Sequence, residues 1–285
     1  MTRHRAAALD PSLYREIVRR ALAEDLGWGD VTTDATVPGD ARARATVIAV
    51  DACVIAGLTV ADEAFHQLDP TVRLDPLRQD GDACAPGAPV ASWEGRAGPL
   101  LTAQRAALNF LERLSGIATA TRRMVEAAEG RARVVATRST TPTLRALEHY
   151  AVEVGGGGRL RGALDGAVVI RRAHVRLAGG IRDALTRVAH VAHELPIEVE
   201  VQSGEQAREA LEGGASRVLV VQPDPGVLAS VLDASRGRIQ VHVSGDFTPG
   251  EVAGLAKAGA DLISAIGITR RAPWVALRVE FDPIP

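Results

Sequence analysis

The sequence predicts an α/β protein whose larger part is a six-stranded βα-barrel, and three observations carry that expectation. From Arg133 onward, six short apolar runs alternate with helical patterns, as buried parallel βα units do. Arg138, Arg171, Gln202, Gln222, His242 and Gly267 all fall at or just past the C-terminal ends of those runs. That is the rim where a βα-barrel gathers its chemistry. Upstream, residues 71–91 are rich in Asp, Pro and Gly and read as short strands and turns of a separate small sheet. Right-handed crossovers alone would permit an open doubly wound sheet; the common placement of the polar residues favours the barrel.

Taken in order, residues 10–26 read as a helix, with Asp10 as N-cap and Pro11 at the first helical position. Runs at 43–50 and 53–56 read as strands, and 59–68 as a helix. Residues 98–128 carry Leu100, Leu101, Ala107, Leu108, Leu111 and Leu114 at spacings near 3.6, with Ser115-Gly116 expected to break the segment into two helices. The six apolar runs are 134–137, 167–170, 197–201, 218–221, 239–243 and 262–266. Helical patterns at 142–152, 181–193, 204–212, 225–234 and 249–258 lie between them.

Composition bounds the function. A chain of 285 residues, 46% hydrophobic and 24% charged, suits one large domain or two closely packed ones with a substantial core. The net charge of −2 argues against a general nucleic-acid or membrane-surface binder. No apolar run approaches the ~18 residues of a membrane span, and the acidic, amphipathic N-terminus is unlike a signal peptide, so a cytoplasmic protein is expected. Cys53 and Cys84 are far apart with no CxxC spacing, which reads as two reduced structural thiols. Lys257 is the only lysine. Arginine cannot deprotonate at working pH, so the many arginines cannot replace a lysine base.

Four collinear segments then point to a family. GDVTTD (29–34), LLTAQRAALNFLERLSGIAT (100–119), ATRSTTPTLRALEHYAVEVGGG (136–157) and LPIEVEVQSGEQ (195–206) resemble quinolinate phosphoribosyltransferase, also called carboxylating nicotinate-nucleotide pyrophosphorylase. The resemblance implies an N-terminal α/β sandwich domain, residues 1–114, rejoined by the returning C-terminal segment 272–285. It implies a six-stranded βα-barrel over 115–271 that carries the site. It also implies a homodimer or higher homo-oligomer in which Arg105 enters the neighbouring site. The family reaction joins quinolinate to phosphoribosyl pyrophosphate with magnesium, releasing diphosphate and carbon dioxide.

A dicarboxylate needs fixed cations, and arginine's planar fork suits a bidentate grip. The family's helix arginine falls on Arg105, and its barrel arginines fall on Arg138 and Arg161. Other positions depart from the family pattern. Its substrate-contacting lysine is Ser139, the histidine of its asparagine-histidine-arginine triplet is Leu160, and a later lysine is Arg171. An aspartate is replaced by Gln222, a glutamate by His242, and the last-loop histidine by Arg270. Magnesium prefers anionic oxygen ligands, so Glu200 alone would make a weak metal site. No cofactor is therefore expected, with magnesium required only if phosphoribosyl transfer is retained.

The expected site has Glu200, His242 and His174 as proton handlers or charged catalytic groups. Arg105, Arg138, Ser139, Arg161, Arg171 and Gln222 are expected to bind a small anionic substrate. Ser244, Gly245, Gly267 and Thr269 are expected to cradle phosphate with backbone N–H groups and a hydroxyl. A zinc or iron site of His174, His242 and Glu200 is chemically conceivable, but nothing in their linear spacing supports it. Three readings follow. The leading one is a diverged family enzyme with altered chemistry, in specialised biosynthesis. The alternatives are a genuine quinolinate phosphoribosyltransferase and a non-catalytic ligand-binding relative.

Overall fold

The computed structural model describes residues 7–189 and 195–285. These divide into two compact units, and the polypeptide passes between them more than once. The first comprises residues up to Arg122, Thr140–Gly156 and Arg271–Pro285; the second comprises Arg123–Ser139 and Gly157–Arg270. Residues 140–156, expected in the barrel domain, pack with the first unit.

The first unit opens with a short turn, Pro11–Leu13, capped where the Asp10 carboxylate accepts from Ser12 N at 2.9 Å. Helices α1 (Arg15–Leu26) and α2 (Val31–Thr36) follow. Next come β1 (Arg42–Ala49), β2 (Cys53–Val54), α3 (Leu58–Leu68), β3 (Arg73–Pro76), β4 (Ala83–Cys84) and β5 (Pro89–Arg96). Helix α4 spans Ala97–Ala127 and α5 spans Arg145–Val154.

The second unit supplies β6 (Arg133–Val134), β7 (Val168–Ile170), α6 (Arg172–Ala178), α7 (Ile181–Ala189), β8 (Ile197–Glu200) and α8 (Gly204–Glu212). It continues through β9 (Arg217–Val221), α9 (Pro225–Ser235), β10 (Gln240–Gly245), α10 (Pro249–Ala258), β11 (Leu262–Ala265) and α11 (Gly267–Arg270). Strand β12 (Leu277–Ile284) returns to the first unit and pairs antiparallel with β1. It completes a four-stranded sheet of order β12-β1-β5-β3. The expected helix over 181–193 is seen as far as Ala189; its last residues lie outside the described ones.

Helix α4 corrects one expectation: Ser115-Gly116 does not interrupt it, and it runs unbroken for 31 residues. Tertiary contacts decide the outcome. Ser115 is fully buried, and its hydroxyl accepts from Ala56 N at 3.0 Å, anchoring the chain beside β2. A Cβ at Gly116 would collide with the carbonyl oxygen of Pro273, so glycine is there for close approach of a second backbone. Because that obstacle is backbone, Gly116→Ala is expected to cost about 1–3 kcal/mol. A thermal melt should show the lowered midpoint, and an unchanged one would mean that the Pro273 segment yields freely.

In the second unit all six strands run parallel, in the order β6-β11-β10-β9-β8-β7. This is the expected barrel-type sheet. Among the described residues β6 and β7 do not pair with each other, and the sheet is open at that seam. A single parallel bridge, Val135 with Gly158, holds the incoming loop at the β6 edge. Helices end where local chemistry stops them. Thr248 and Glu251 form a capping box at the start of α10, Pro249 takes its first position, and Gly259 closes it at φ 110°.

Candidate functional site

The open seam is where guanidinium groups gather. Arg138 follows β6, Arg171 follows β7, and Arg161 lies on the loop between those strands. Arg161 is half-buried and donates to the carbonyl of Ala167 at 3.1 Å. Burial lowers its pKa, and the positive charges of Arg138 and Arg171 lower it further, against an opposing pull from Glu198. Arg138 and Arg171 therefore lie close enough for their charges to act on Arg161. Arg138 is exposed, and among the described residues it has no hydrogen-bond or ion-pair partner.

Glu200, at the end of β8, balances part of this charge. One carboxylate oxygen takes Arg171 Nε at 2.7 Å and Arg172 N at 3.1 Å. His174 is not beside it as a proton handler: it is exposed, and its Nδ1 accepts from Arg171 N at 2.9 Å to cap α6. The short helix α6 itself escaped sequence reading, since its N-cap is Arg171 rather than a usual N-cap residue.

His242 also differs from its expected place at the rim. It is buried inside the sheet's layer of side chains, its Nδ1 2.8 Å from Glu198 Oε1 and its Nε2 2.9 Å from Ser264 Oγ. Arg217 approaches the same Glu198 oxygen at 3.5 Å. Burial alone would raise the Glu198 pKa. The His242 hydrogen bond and charge, with Arg217 behind them, outweigh it and hold the carboxyl below its ordinary range. Glu198 and Ser264 were not among the expected site residues. The signal for Glu198 was available: it sits two residues before Glu200, so both point to one face of the strand. Nothing local marks Ser264.

The loops after β9 and β10 are tied together. Gln222 has φ 45°, donates its backbone N–H to the Ser244 carbonyl at 2.9 Å, and accepts from Asp246 N at 2.6 Å through Oε1. A Cβ at Gly245 would strike Gln222 Oε1 and the Phe247 ring. The turn expected at Ser244-Gly245 is instead the end of β10, and the Gln222 carboxamide engages the Asp246 N–H just beyond it. Thr269 needs correction as a phosphate ligand: it is buried and its hydroxyl donates to the carbonyl of Ser139 at 2.7 Å. Gly267 opens the four-residue helix α11. Ser139 contributes mainly backbone, its N–H donating to Thr137 Oγ1 at 3.1 Å. Arg105 is exposed on α4, in the first unit.

Comparison with known proteins follows this geometry closely. The N-terminal-domain model of quinolinate phosphoribosyl transferase matches residues 30–115, and the C-terminal-domain model matches 117–280. The chain belongs to the quinolinate phosphoribosyltransferase family. Among its relatives is a probable carboxylating nicotinate-nucleotide pyrophosphorylase of Synechocystis, 36% identical, with 91% of this chain and 89% of that protein covered. A second, from Methanothermobacter thermautotrophicus, is 34% identical over 93% of this chain and 98% of its own length. The solved nicotinate-nucleotide pyrophosphorylase of Francisella tularensis superposes with a TM-score of 0.92 at 29% identity, covering 96% of this chain and 98% of that one.

Family membership makes this chain an enzyme of phosphoribosyltransferase descent and confirms the fold that the resemblance implied. It also brings in magnesium, and the donor set here does not fit that ion. Among the described residues no three His, Cys, Asp or Glu side chains converge as ligands. One Glu200 oxygen is paired with Arg171, one Glu198 oxygen is hydrogen-bonded to buried His242, and Gln222 Oε1 already accepts from Asp246 N. Magnesium binds hard anionic oxygen, whereas Gln222 and His242 offer a neutral carbonyl and a buried ring nitrogen. The zinc or iron alternative also fails, since His174 is exposed while His242 is buried. No described helix is long and apolar enough to cross a membrane.

Proposed function

We propose that this chain joins quinolinate to the phosphoribosyl group of phosphoribosyl pyrophosphate, giving nicotinate mononucleotide, diphosphate and carbon dioxide. This is the reading ranked second on sequence alone. It moves ahead of altered chemistry because relatives at 30–36% identity, spanning about nine-tenths of the chain, carry the names of that activity. The supporting observation is the gathering of Arg138, Arg161 and Arg171 at the open seam.

In this reading, guanidinium forks hold the pyridine carboxylates and present the ring nitrogen to the sugar. Nitrogen attacks the anomeric carbon as the carbon–oxygen bond to diphosphate breaks. Glu200, fixed by Arg171 and by Arg172 N–H, supplies negative charge beside the developing oxocarbenium. The ring carboxylate next to the new pyridinium then leaves as carbon dioxide. Its electron pair stays on the ring carbon, stabilised by the adjacent positive nitrogen, until a proton from solvent replaces it. Arginine cations neutralise the departing diphosphate, and any magnesium enters with the phosphoribosyl pyrophosphate as part of the substrate. Arg105 from a second subunit is assigned the remaining anion contact.

One observation favours a second reading, an altered reaction on a carboxylated or phosphorylated ligand: His242 and Gln222 stand where the family pattern has carboxylates. One assay separates the two. Purified protein supplied with quinolinate, phosphoribosyl pyrophosphate and magnesium is expected to form nicotinate mononucleotide, followed by chromatography. Calorimetric binding of quinolinate without turnover would favour altered chemistry. Neither binding nor turnover would overturn the quinolinate assignment.

A further inference from the structure

The two cysteines, far apart in sequence, meet in the fold. Strands β2 and β4 form a separate two-residue antiparallel ladder in the first unit, and its register places Cys53 directly opposite Cys84. Directly opposed residues in such a ladder have Cα atoms about 4.5–5.5 Å apart, with side chains on one face. That spacing lies inside the ~4.4–6.8 Å window of a disulfide. Both residues are buried, and both are free thiols. Neither belongs to the arginine site, which lies in the second unit.

We propose that Cys53 and Cys84 are a thiol–disulfide pair, with Cys84 the thiol that reacts first with peroxide and Cys53 the one that resolves it. The asymmetry comes from their surroundings. Burial pushes the Cys53 thiol up to about 11, and the neighbouring Cys84 and Asp51 push the same way. Cys84 is raised by burial too, but the positive charge of the Arg78 guanidinium opposes the rise, against a weaker contribution from Asp82. A thiolate beside a guanidinium is the better nucleophile.

The chemistry balances in two steps. The Cys84 thiolate attacks hydrogen peroxide, breaking its O–O bond; the released hydroxide takes a proton, leaving Cys84 as the sulfenic acid and one water. The Cys53 sulfur then attacks the sulfenic sulfur, expelling a second water and forming the disulfide. Together the two thiols lose two electrons, and hydrogen peroxide, the oxidant, takes them up and is reduced to two waters. Access needs only a small opening. A two-residue ladder has few hydrogen bonds to break, and such elements sit at the low-stability end of a fold.

The test uses the full chain, reduced and then treated with hydrogen peroxide. The expected product is lighter by two hydrogens in an intact mass spectrum, with Cys53 and Cys84 peptides linked in a non-reducing digest. Its thermal midpoint should rise, and dithiothreitol should reverse both changes. Cys53→Ser should leave Cys84 as a sulfenic acid that dimedone traps, whereas Cys84→Ser should show no dimedone adduct on Cys53. Wild-type chain that keeps its mass, or gains oxygen on one cysteine without a link, overturns the pair. Equal trapping in the two variants overturns the order of attack. The wild-type mass measurement decides the main claim even if a variant fails to fold.

Discussion

Arg161→Ala is expected to weaken binding of a carboxylated ligand by roughly 30- to 5,000-fold, as losing one partner of a desolvated charge pair costs about 2–5 kcal/mol. The position matters because Arg161 is the half-buried member of the cluster, so its charge is the least screened by water. Arg161→Lys should recover little, since a point charge cannot reproduce a planar two-bond grip. Calorimetry with quinolinate reads the effect directly, and an unchanged dissociation constant would remove the anion pocket from the seam. Exposed Arg138 should give the smaller loss of the two when changed to alanine. If Arg105 of one subunit serves its neighbour's site, mixing Arg105→Ala with Arg138→Ala subunits should restore part of the lost activity. Absence of recovery after confirmed subunit exchange would confine each site to one chain.

His242→Ala should destabilise the fold by about 3–5 kcal/mol, because it leaves the Glu198 carboxylate buried without its main partner. Arg217 at 3.5 Å remains, but it is the weaker of the two influences on Glu198. Replacing both residues by leucine should recover much of the loss, as exchange of a buried ion pair for apolar packing often does. Urea denaturation would measure all three chains. The pH dependence provides a sharper sign. In the wild type the Glu198 pKa is depressed, so its contribution is present above the unfolded value of about 4.3 and disappears as pH falls through the lower folded value. In His242→Ala burial dominates and the folded pKa rises, so this group should favour the folded state on acidification and oppose it as pH rises. Parallel acid profiles for the two proteins would contradict that account of Glu198.

How much of this was legible in the sequence depends on the range of the forces involved. Helix α8 and helix α10 could be placed to the residue, because Ser203, Thr248, Pro249 and Gly259 are local signals written beside each end. Ser115-Gly116 misled for the opposite reason. A pair that breaks an isolated helix is used here to seat α4 against Ala56 and Pro273, contacts that come from distant sequence. Arg138 and Arg161 were found through resemblance, and the fold then gathered them with Arg171. The Glu198–His242–Ser264 chain joins three different strands, and the cysteines face each other across two. No periodicity announces such meetings. His174 failed as a catalytic candidate because backbone capping, a purely local use, took its Nδ1.

Gln222 has a consequence for what the rim can select. Its carboxamide oxygen already occupies Asp246 N, so the loop after β10 comes with a resident acceptor. Any incoming group must be a better acceptor than an amide carbonyl, tethered at effectively high local concentration, before that N–H is released. An ionised acceptor such as a phosphate forms a stronger hydrogen bond to an N–H than a neutral hydroxyl or carbonyl does. Because Gln222 also donates its backbone N–H to the Ser244 carbonyl, release of the side chain leaves the two loops joined by their main chains. The rim would then discriminate by acceptor strength through one rotating side chain, with the barrel staying still.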